Sequence, residues 1–473
     1  MTVAQLVAIA WGCLLPASAP QDAPEAVVRK VVLITLDTVR ADKLGCYGYF
    51  RDTTPQLDRF ATQCVRFTRC LAPVSNTTPS HASMLTGVYP HEHGILNNFF
   101  SLPPEEQLGH VLKTSPTLRT FAQVVTAAGI KTGGFVAATP VKKSTGLAVG
   151  FSEWREPPPS SPRRVGKAVV ADGLEFLGAT GNDPCFAWLH FFDVHGPIKP
   201  PLTPPTTYTQ MYRTTPELES WVERLGCITS LDSKHQGSMP TTTAHNFYDG
   251  CLRFLDDQVG PLLDWLSTPE RCADTMVIIV GDHGHGLGQH DELSHGDAWD
   301  EQLRVPLLVR TPGVAPGVVE TNVSTLDLLP TIVVRAPGLS DAAFAAQLRG
   351  RDLLAPELEA RPLIGLTAAE RPTLVLTTTH WKLIEHPSGK RLLFDLESDP
   401  HEMRDVAADH QDVVAQLAKL LLEEIDRQVR RRELHRRGMH ATMGEIDPQI
   451  LEELRALGYI DGGEPDATDD GRR

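Results

Sequence analysis

No C-x-x-C pair occurs in the 473 residues, and cysteine is sparse, with 8 in all. A thiolate zinc site is therefore not expected. Positive charge is also short: 44 Lys and Arg stand against 59 Asp and Glu, a net charge of −15. Phosphate backbones need basic faces, so nucleic acid is not an expected partner. A small anionic substrate stays open, because a bound cation inverts the local field. No run is apolar and long enough to span a bilayer, and no compositional extreme signals repeats or disorder away from the two ends. What remains, 41% hydrophobic and 22% charged residues, is the balance of a globular chain that can bury a large core.

The apolar stretch Met1–Leu15 followed by Ala17-Ser18-Ala19 has the pattern of an export leader, although no Lys or Arg precedes it and Pro20 would follow the cut. We expect residues 1–28 to be such a leader and the protein to be exported, periplasmic or secreted. Lipid attachment at Cys13 is the alternative, with Trp11 a poor fit to it. After export Cys64 could pair with Cys70, or Cys227 with Cys251, whereas Cys185 reads as a core residue.

Val31–Leu36 is an unbroken apolar run that ends at Asp37. Runs without polar alternation are strands buried on both faces, as in a parallel sheet sheathed by helices. Gly134–Val136, Cys185–Phe192, Met276–Val280 and Val305–Val309 share this character, and helical stretches cover Thr117–Ala128, Val165–Leu177 and Phe247–Leu266. Such alternation predicts a doubly wound α/β sheet, in which ligands bind beyond the carboxyl ends of the strands. Asp37, Asp193 and Asp282 each stand at or just past such an end, which gathers three carboxylates on one rim. The proline-rich stretches 157–162 and 197–205 read as loops over that rim. From about residue 340 the texture changes. Trp381–Ile384 and Arg391–Leu396 flank Pro387-Ser388-Gly389-Lys390, the pattern of a hairpin with a glycine turn. An amphipathic helix over Val413–Arg432 follows, and the arginines at 430–432, 436 and 437 read as a solvated face. The expected domains are a catalytic α/β unit over 29–340, a C-terminal subdomain over 341–461 and a polar, disordered tail over 462–473.

The most informative stretch is Ser75–Gly87, which places Thr77 just before Pro79 at the opening of a helix. Proline's missing N–H costs nothing in a first helical turn. Unpaired N–H groups and the positive end of the dipole there suit an anion, or a hydroxyl about to become one. Asp37 alone reads equally well as a helix cap, and Asp282-His283-Gly284 as a turn. Together with Thr77 they form a candidate metal set. Two carboxylates and an imidazole can hold Ca, Mg, Mn or Zn, and the imidazole favours Zn or Mn. Arg40 and Asp42 are candidates for orienting Asp37 or the helix after it. His91 and His93, about a Tyr-Pro turn, are expected to pack against the helix that carries Thr77. His285 and His290 receive no role, and Lys142 and Lys143 read as surface charges.

These stretches occur in a set order. It comprises Leu36–Asp42 with Leu44–Gly48, Thr77–Gly87, Tyr89–Gly94, Phe192–Pro197, Gly281–Gly284 with Leu287–His290, Arg304–Pro306, Trp381–Leu383 and Phe394–Pro400. In this the chain resembles the sulfatase family of the alkaline-phosphatase superfamily, from about Val31 to about Asp405. The resemblance implies an alkaline-phosphatase-like α/β sandwich, with a central, mostly parallel sheet covered by helices and a small C-terminal antiparallel sheet with a helix. It implies a metal-dependent hydrolase that cleaves a sulfate, phosphate or phosphonate ester of a sugar, aryl or lipid group. One divalent metal would be held by Asp37, Thr77, Asp282 and His283, with His195 and His295 on the ester oxygens and the leaving group.

The family pattern C/S-x-P-S-R falls on Thr77-Thr78-Pro79-Ser80-His81, with two departures. Sulfatases carry a Cys or Ser that is oxidised to formylglycine, and threonine cannot be. His81 also replaces the arginine. The formylglycine hydrate attacks with one hydroxyl and expels sulfate with the other, but Thr77 has one hydroxyl only. A phosphorylated threonine can be cleared by in-line attack of water, so the chemistry leans towards phosphorus. A second metal held by Asp193, His195 and His295 would make the site that of a phosphodiesterase or a phosphoethanolamine-type transferase. A catalytically silent binding protein is the remaining alternative. His81, Arg40 and Asp193 are thus candidates for supporting the first metal or joining a second.

Overall fold

A computed structural model describes residues 27–98, 111–195, 204–227, 230–233, 237–369 and 371–440. The leader, Cys13, most of the second proline loop and the tail lie outside the described residues.

The strands are β1 (Lys30–Leu36), β2 (Val65–Leu71), β3 (Lys131–Val136), β4 (Glu153–Arg155), β5 (Cys185–Phe191), β6 (Ser230–Ser233), β7 (Gly237–Pro240), β8 (Thr275–Gly281), β9 (Arg304–Arg310), β10 (Gly317–Val319) and β11 (Val323–Ser324). The C-terminal strands are β12 (Leu363–Leu366), β13 (Leu374–Thr377), β14 (Trp381–Glu385) and β15 (Arg391–Asp395). The large sheet runs β10-β2-β9-β8-β1-β5-β3-β4, with β11 also on β2. Its pairs are parallel except those that β9 makes with β8 and β2.

Every residue of β1, β5 and β8 is buried, as unbroken apolar runs require. Alternate side chains of β1 feed two cores, Val31 and Leu33 on one face and Val32, Ile34 and Leu36 on the other. Cys64 belongs to the second core and Cys70 to the first, so that pairing is not formed. All seven cysteines among the described residues are unpaired. Strand β2 was not legible as a strand of this sheet, because Arg66, Thr68 and Arg69 interrupt its apolar positions where the layer is only half covered.

The hairpin of β14 and β15 forms as expected, closed by a bond from His386 N–H to the Lys390 carbonyl, with Gly389 at φ 84° supplying the left-handed turn. The helix Gln411–His440 covers the small sheet, its Leu417 and Leu421 packing with Leu376, Leu383 and Leu393. Part of its arginine run is not solvated. Arg431 reaches Glu92 at 3.4 Å and Arg432 reaches the Gly94 carbonyl at 3.5 Å, because the helix continues past the small sheet onto Pro90–His93. Phe344 and Leu353 pack in the core of the large sheet, and the small sheet begins at Leu363.

Among the described residues, no helix is long and apolar enough to cross a membrane.

Candidate active site

Strands β5, β1 and β8 are neighbours, and their ends are flush: Leu36 is level with Phe191 on one side and with Gly281 on the other. The chain leaves β1 and β8 at the same height, which brings Asp37 and Asp282 together from positions 245 residues apart. Thr38 then takes φ 57°, a strained value for a β-branched residue. Its backbone is held on both sides, since Thr38 N–H donates to Asp282 Oδ1 at 3.0 Å and Tyr248 Oη–H donates to the Thr38 carbonyl at 2.8 Å.

Those bonds divide the work of Asp282. Oδ1 accepts from Thr38 N–H and from His283 N–H, while Oδ2 is buried without a donor. Both oxygens of Asp37 are likewise buried and reach no donor within hydrogen-bond distance. The imidazole of His283 meets the Gly284 carbonyl through Nδ1 at 2.9 Å, so Nδ1 carries the proton and Nε2 presents a lone pair. That Nε2 lies 3.2 Å from Thr77 Oγ1 and 3.5 Å from Asp282 Oδ2. Oxygen and nitrogen atoms of Asp37, Asp282 and His283 all fall within 4.8 Å of one another.

Burial pushes the Asp37 carboxyl up to about 8, with nearby Asp282, Thr77 and Arg163 pulling the other way. Asp282 is raised by burial and then by the Asp37 charge. Two facing carboxylates with three unpartnered oxygens and a lone-pair nitrogen fit a divalent cation, which supplies the missing positive charge.

Thr77 is the first residue of a fully buried helix, Thr77–Thr86, that starts two residues before Pro79. Gly87 ends it at φ 72°, where a Cβ would meet the Leu348 side chain at 2.3 Å. The helix start departs from expectation in one respect. Its N–H groups are not free, because Asn76 Oδ1 accepts from Thr77 N–H at 3.0 Å and Asn98 Oδ1 from Thr78 N–H at 2.8 Å. The two amides fix the turn that aims Thr77, and the dipole, rather than direct N–H contact, remains to favour an anion.

The two further histidines complete a line. His295 Nδ1 donates to the Ser75 carbonyl at 3.3 Å, which leaves its Nε2 to accept from His195 Nε2–H at 3.1 Å. The His295 ring lies 4.4 Å from that of His283, and His195 stacks on Phe192 at 4.3 Å. Burial first, and neighbouring imidazoles second, hold His195 and His295 well below the usual histidine range, so both are neutral at pH 7.

The supporting candidates divide. His81 sits under the site, with Nδ1 on the Thr77 carbonyl at 2.8 Å and 3.7 Å from Asp282 Oδ2. Trp188 Nε1–H donates to Thr35 Oγ1, whose own hydrogen then goes to His81 Nε2, so His81 is a neutral support where the family pattern has a cation. Asp193 turns one oxygen to the Gly166 N–H at 3.0 Å, at the start of the helix Gly166–Ala179, and burial pushes it up to about 6. Arg40 pairs with Asp42 and bonds the His285 carbonyl and Gln289, bracing the loop after His283 rather than Asp37 itself. His93 bonds Ser83 of the Thr77 helix, as expected, and His290 ties Glu301 to the Glu402 carbonyl. Sequence reasoning missed His190, 3.5 Å from Asp37, together with Tyr248, Asn98 and Arg163. His190 alone carried a signal, as a polar residue inside the apolar run of β5.

The sequence profile of the family described as Sulfatase matches residues 29–338. The chain is 25% identical over 444 residues to the uncharacterized sulfatase YidJ of Escherichia coli (strain K12), covering 84% of this chain and 87% of that protein. It is 25% identical over 421 residues to an ulvan-active sulfatase of Formosa agariphila, covering 80% and 76%. The crystal structure of the phosphonate monoester hydrolase of Agrobacterium radiobacter shares the fold with a TM-score of 0.63 at 20% identity, covering 85% of this chain and 96% of that one.

Proposed function

The chain belongs to the sulfatase family, and from that premise we propose that it hydrolyses a phosphate or phosphonate ester through Thr77. The observation that carries this reading is the 3.2 Å approach of Thr77 Oγ1 to His283 Nε2, beside the carboxylates of Asp37 and Asp282. A divalent cation held by Asp37, Asp282 and His283, with Thr77 beside it, would lower the pKa of the Thr77 hydroxyl and draw charge from the ester oxygens.

Thr77 Oγ1 forms a bond to phosphorus as the bond to the leaving oxygen breaks in line. The proton that Thr77 gives up reaches that oxygen through solvent, while the neutral His195, whose Nε2–H is now bonded to His295, turns to donate a hydrogen bond to the leaving oxygen, and His295 holds the pair in register from the Ser75 carbonyl. Water then attacks phosphorus, the Thr77–phosphorus bond breaks, and the hydroxyl is restored. A sulfate held on a single-hydroxyl threonine has no second hydroxyl to expel it, which favours phosphorus over sulfur. One metal is favoured over two, because Asp193 already spends an oxygen on Gly166 and no second cluster of ligands occurs among the described residues.

The test is turnover by the purified chain, loaded in turn with Zn, Mn, Mg or Ca, on 4-nitrophenyl sulfate, phosphate and phenylphosphonate and on bis(4-nitrophenyl) phosphate. A phosphorus ester should be the best substrate. Faster cleavage of the sulfate overturns the choice of phosphorus, and no turnover with any metal favours the silent binding protein. Thr77→Cys produced beside a formylglycine-forming enzyme should gain sulfatase activity.

A further inference from the structure

The proline-rich loop 157–162 ends at Arg163, which an isolated bridge to Ala138 clips to the rim of the sheet. Bonds from Thr139 N–H to the Pro162 carbonyl and from Arg164 N–H to the Ala137 carbonyl flank it. The Arg163 Nη1 donates to the His195 carbonyl at 3.3 Å, and the guanidinium carbon lies 5.4 Å from the centre of the Phe192 ring, the same ring that stacks on the His195 imidazole. The guanidinium is therefore held in position against the residue that faces the leaving group in the reading above.

Its charge is not answered. Arg164 next to it is paired with Asp172, and Lys142 across the loop donates to the Pro158 and Ser161 carbonyls. Among the described residues no carboxylate lies within ion-pair distance of Arg163, although it is half-buried. Burial lowers its pKa, and the charge acting the other way is that of Asp37, which puts the guanidinium within electrostatic reach of the site. The histidines around it are neutral, so Arg163 brings to this side of the cleft a fixed positive charge that the family's arginine position, filled by His81, does not.

We propose that Arg163 recognises a carboxylate carried by the leaving group, so that the preferred substrates are esters of acidic alcohols or phenols. A planar fork with spare donors, held on an aromatic face, suits bidentate capture of a carboxylate. In that reading Thr77 takes the transferred group and His195 faces the leaving group, so an anion held by Arg163, which sits on the His195 carbonyl, belongs to the leaving half of the ester. This step rests on the ester-hydrolase reading, and its test separates the two.

Binding is measured calorimetrically with the zinc-loaded chain and the bare leaving groups 4-hydroxybenzoate and phenol. The wild type should bind the carboxylated phenol at least about tenfold more tightly. Arg163→Met should erase most of that preference, and Arg163→Lys should keep part of it. Equal affinities in the wild type, or a preference that survives Arg163→Met, overturn the proposal. In turnover, Arg163→Met should lower kcat/KM for 4-carboxyphenyl phosphate at least about tenfold more than for phenyl phosphate, chiefly through KM. An equal fall in kcat for both esters assigns Arg163 a structural role and also overturns it. Failure of the wild type to cleave either ester sinks the proposed function, while the binding result still decides the role of Arg163.

Discussion

Two buried charge clusters begin at the two ends of the loop that carries His295, one at Asp282 and the other at Asp300, and they are built on opposite plans. Around Lys382 each charged group meets an opposite one: its Nζ donates to Asp300 at 2.9 Å and to Glu402 at 2.5 Å, Arg69 reaches the other Asp300 oxygen at 3.3 Å, and Glu402 Oε2 accepts from Asp300 N–H at 3.1 Å. Two cations face two anions, and the cluster ties the small C-terminal sheet to the segment before β9. Around Asp37 and Asp282 two carboxyl groups face each other with three oxygens unpartnered and, among the described residues, no cation beside them. Burial alone does not separate the clusters, since it pushes both Glu402 and Asp37 up to about 8. What separates them is whether partners are supplied from within the chain. A saturated cluster specifies architecture, whereas an unsaturated one is a demand for something the chain does not contain.

The contrast can be broken at several points. The largest effect is expected at Thr77→Val, which should lower kcat/KM on the best ester by about 10³-fold or more while leaving the circular dichroism spectrum unchanged. Next, Lys382→Met leaves two buried carboxylates without their cation and should cost about 3–5 kcal/mol in denaturant unfolding. Asp37→Asn removes instead a carboxyl that must take up a proton to be buried without metal, so in metal-free protein it should raise the unfolding midpoint even as it abolishes metal-dependent activity. If Asp37→Asn destabilises the metal-free chain as much as Lys382→Met does, the distinction between the clusters fails.

A gentler probe is pH. The folded-state pKa of Asp37, about 8, lies above its ordinary 3.8, so the folded chain holds a proton that the unfolded chain has released. Stability of the metal-free protein should be full below about pH 4 as far as this group is concerned, and fall as pH rises towards 8. Saturating zinc should flatten or reverse that slope, as read by thermal unfolding at several pH values. The smallest effect is expected at Asn76→Ala, which removes the cap of the Thr77 helix and should cost about 1 kcal/mol with a modest fall in kcat.

Most of the sheet could be read from the chain because β1, β5, β8 and β9 are buried on both faces and so are apolar at nearly every inner position. The meeting of Asp37 and Asp282 in the candidate site followed from the same fact: they are the first polar residues after such runs, and strand ends are where a parallel sheet exposes its chemistry. Thr77 was legible through Pro79 and the helix start. The pairing of helix N–H groups with Asn76 and Asn98 was not, because Asn98 comes from a loop 21 residues beyond Thr77 whose path no local pattern records. Arg163 was hidden for the same reason, since its place depends on a bridge to Ala138 that nothing in the proline-rich stretch announces. Arg40 stood near Asp37 in sequence but points to another loop, because the left-handed turn at Thr38 redirects the chain between them. Neighbours in sequence were the less reliable guide wherever backbone conformation changed hand.

The level endings of β5, β1 and β8 bear on how the protein would acquire its ion. Asp37 and Asp282 are rooted in adjacent inner strands, which open to solvent only when the whole sheet gives way. Their separation is thus set before any ion arrives and does not have to be created by it. Loading then becomes a matter of stripping water from the incoming ion rather than of rearranging polypeptide, and a chain emptied by a chelator should recharge without refolding.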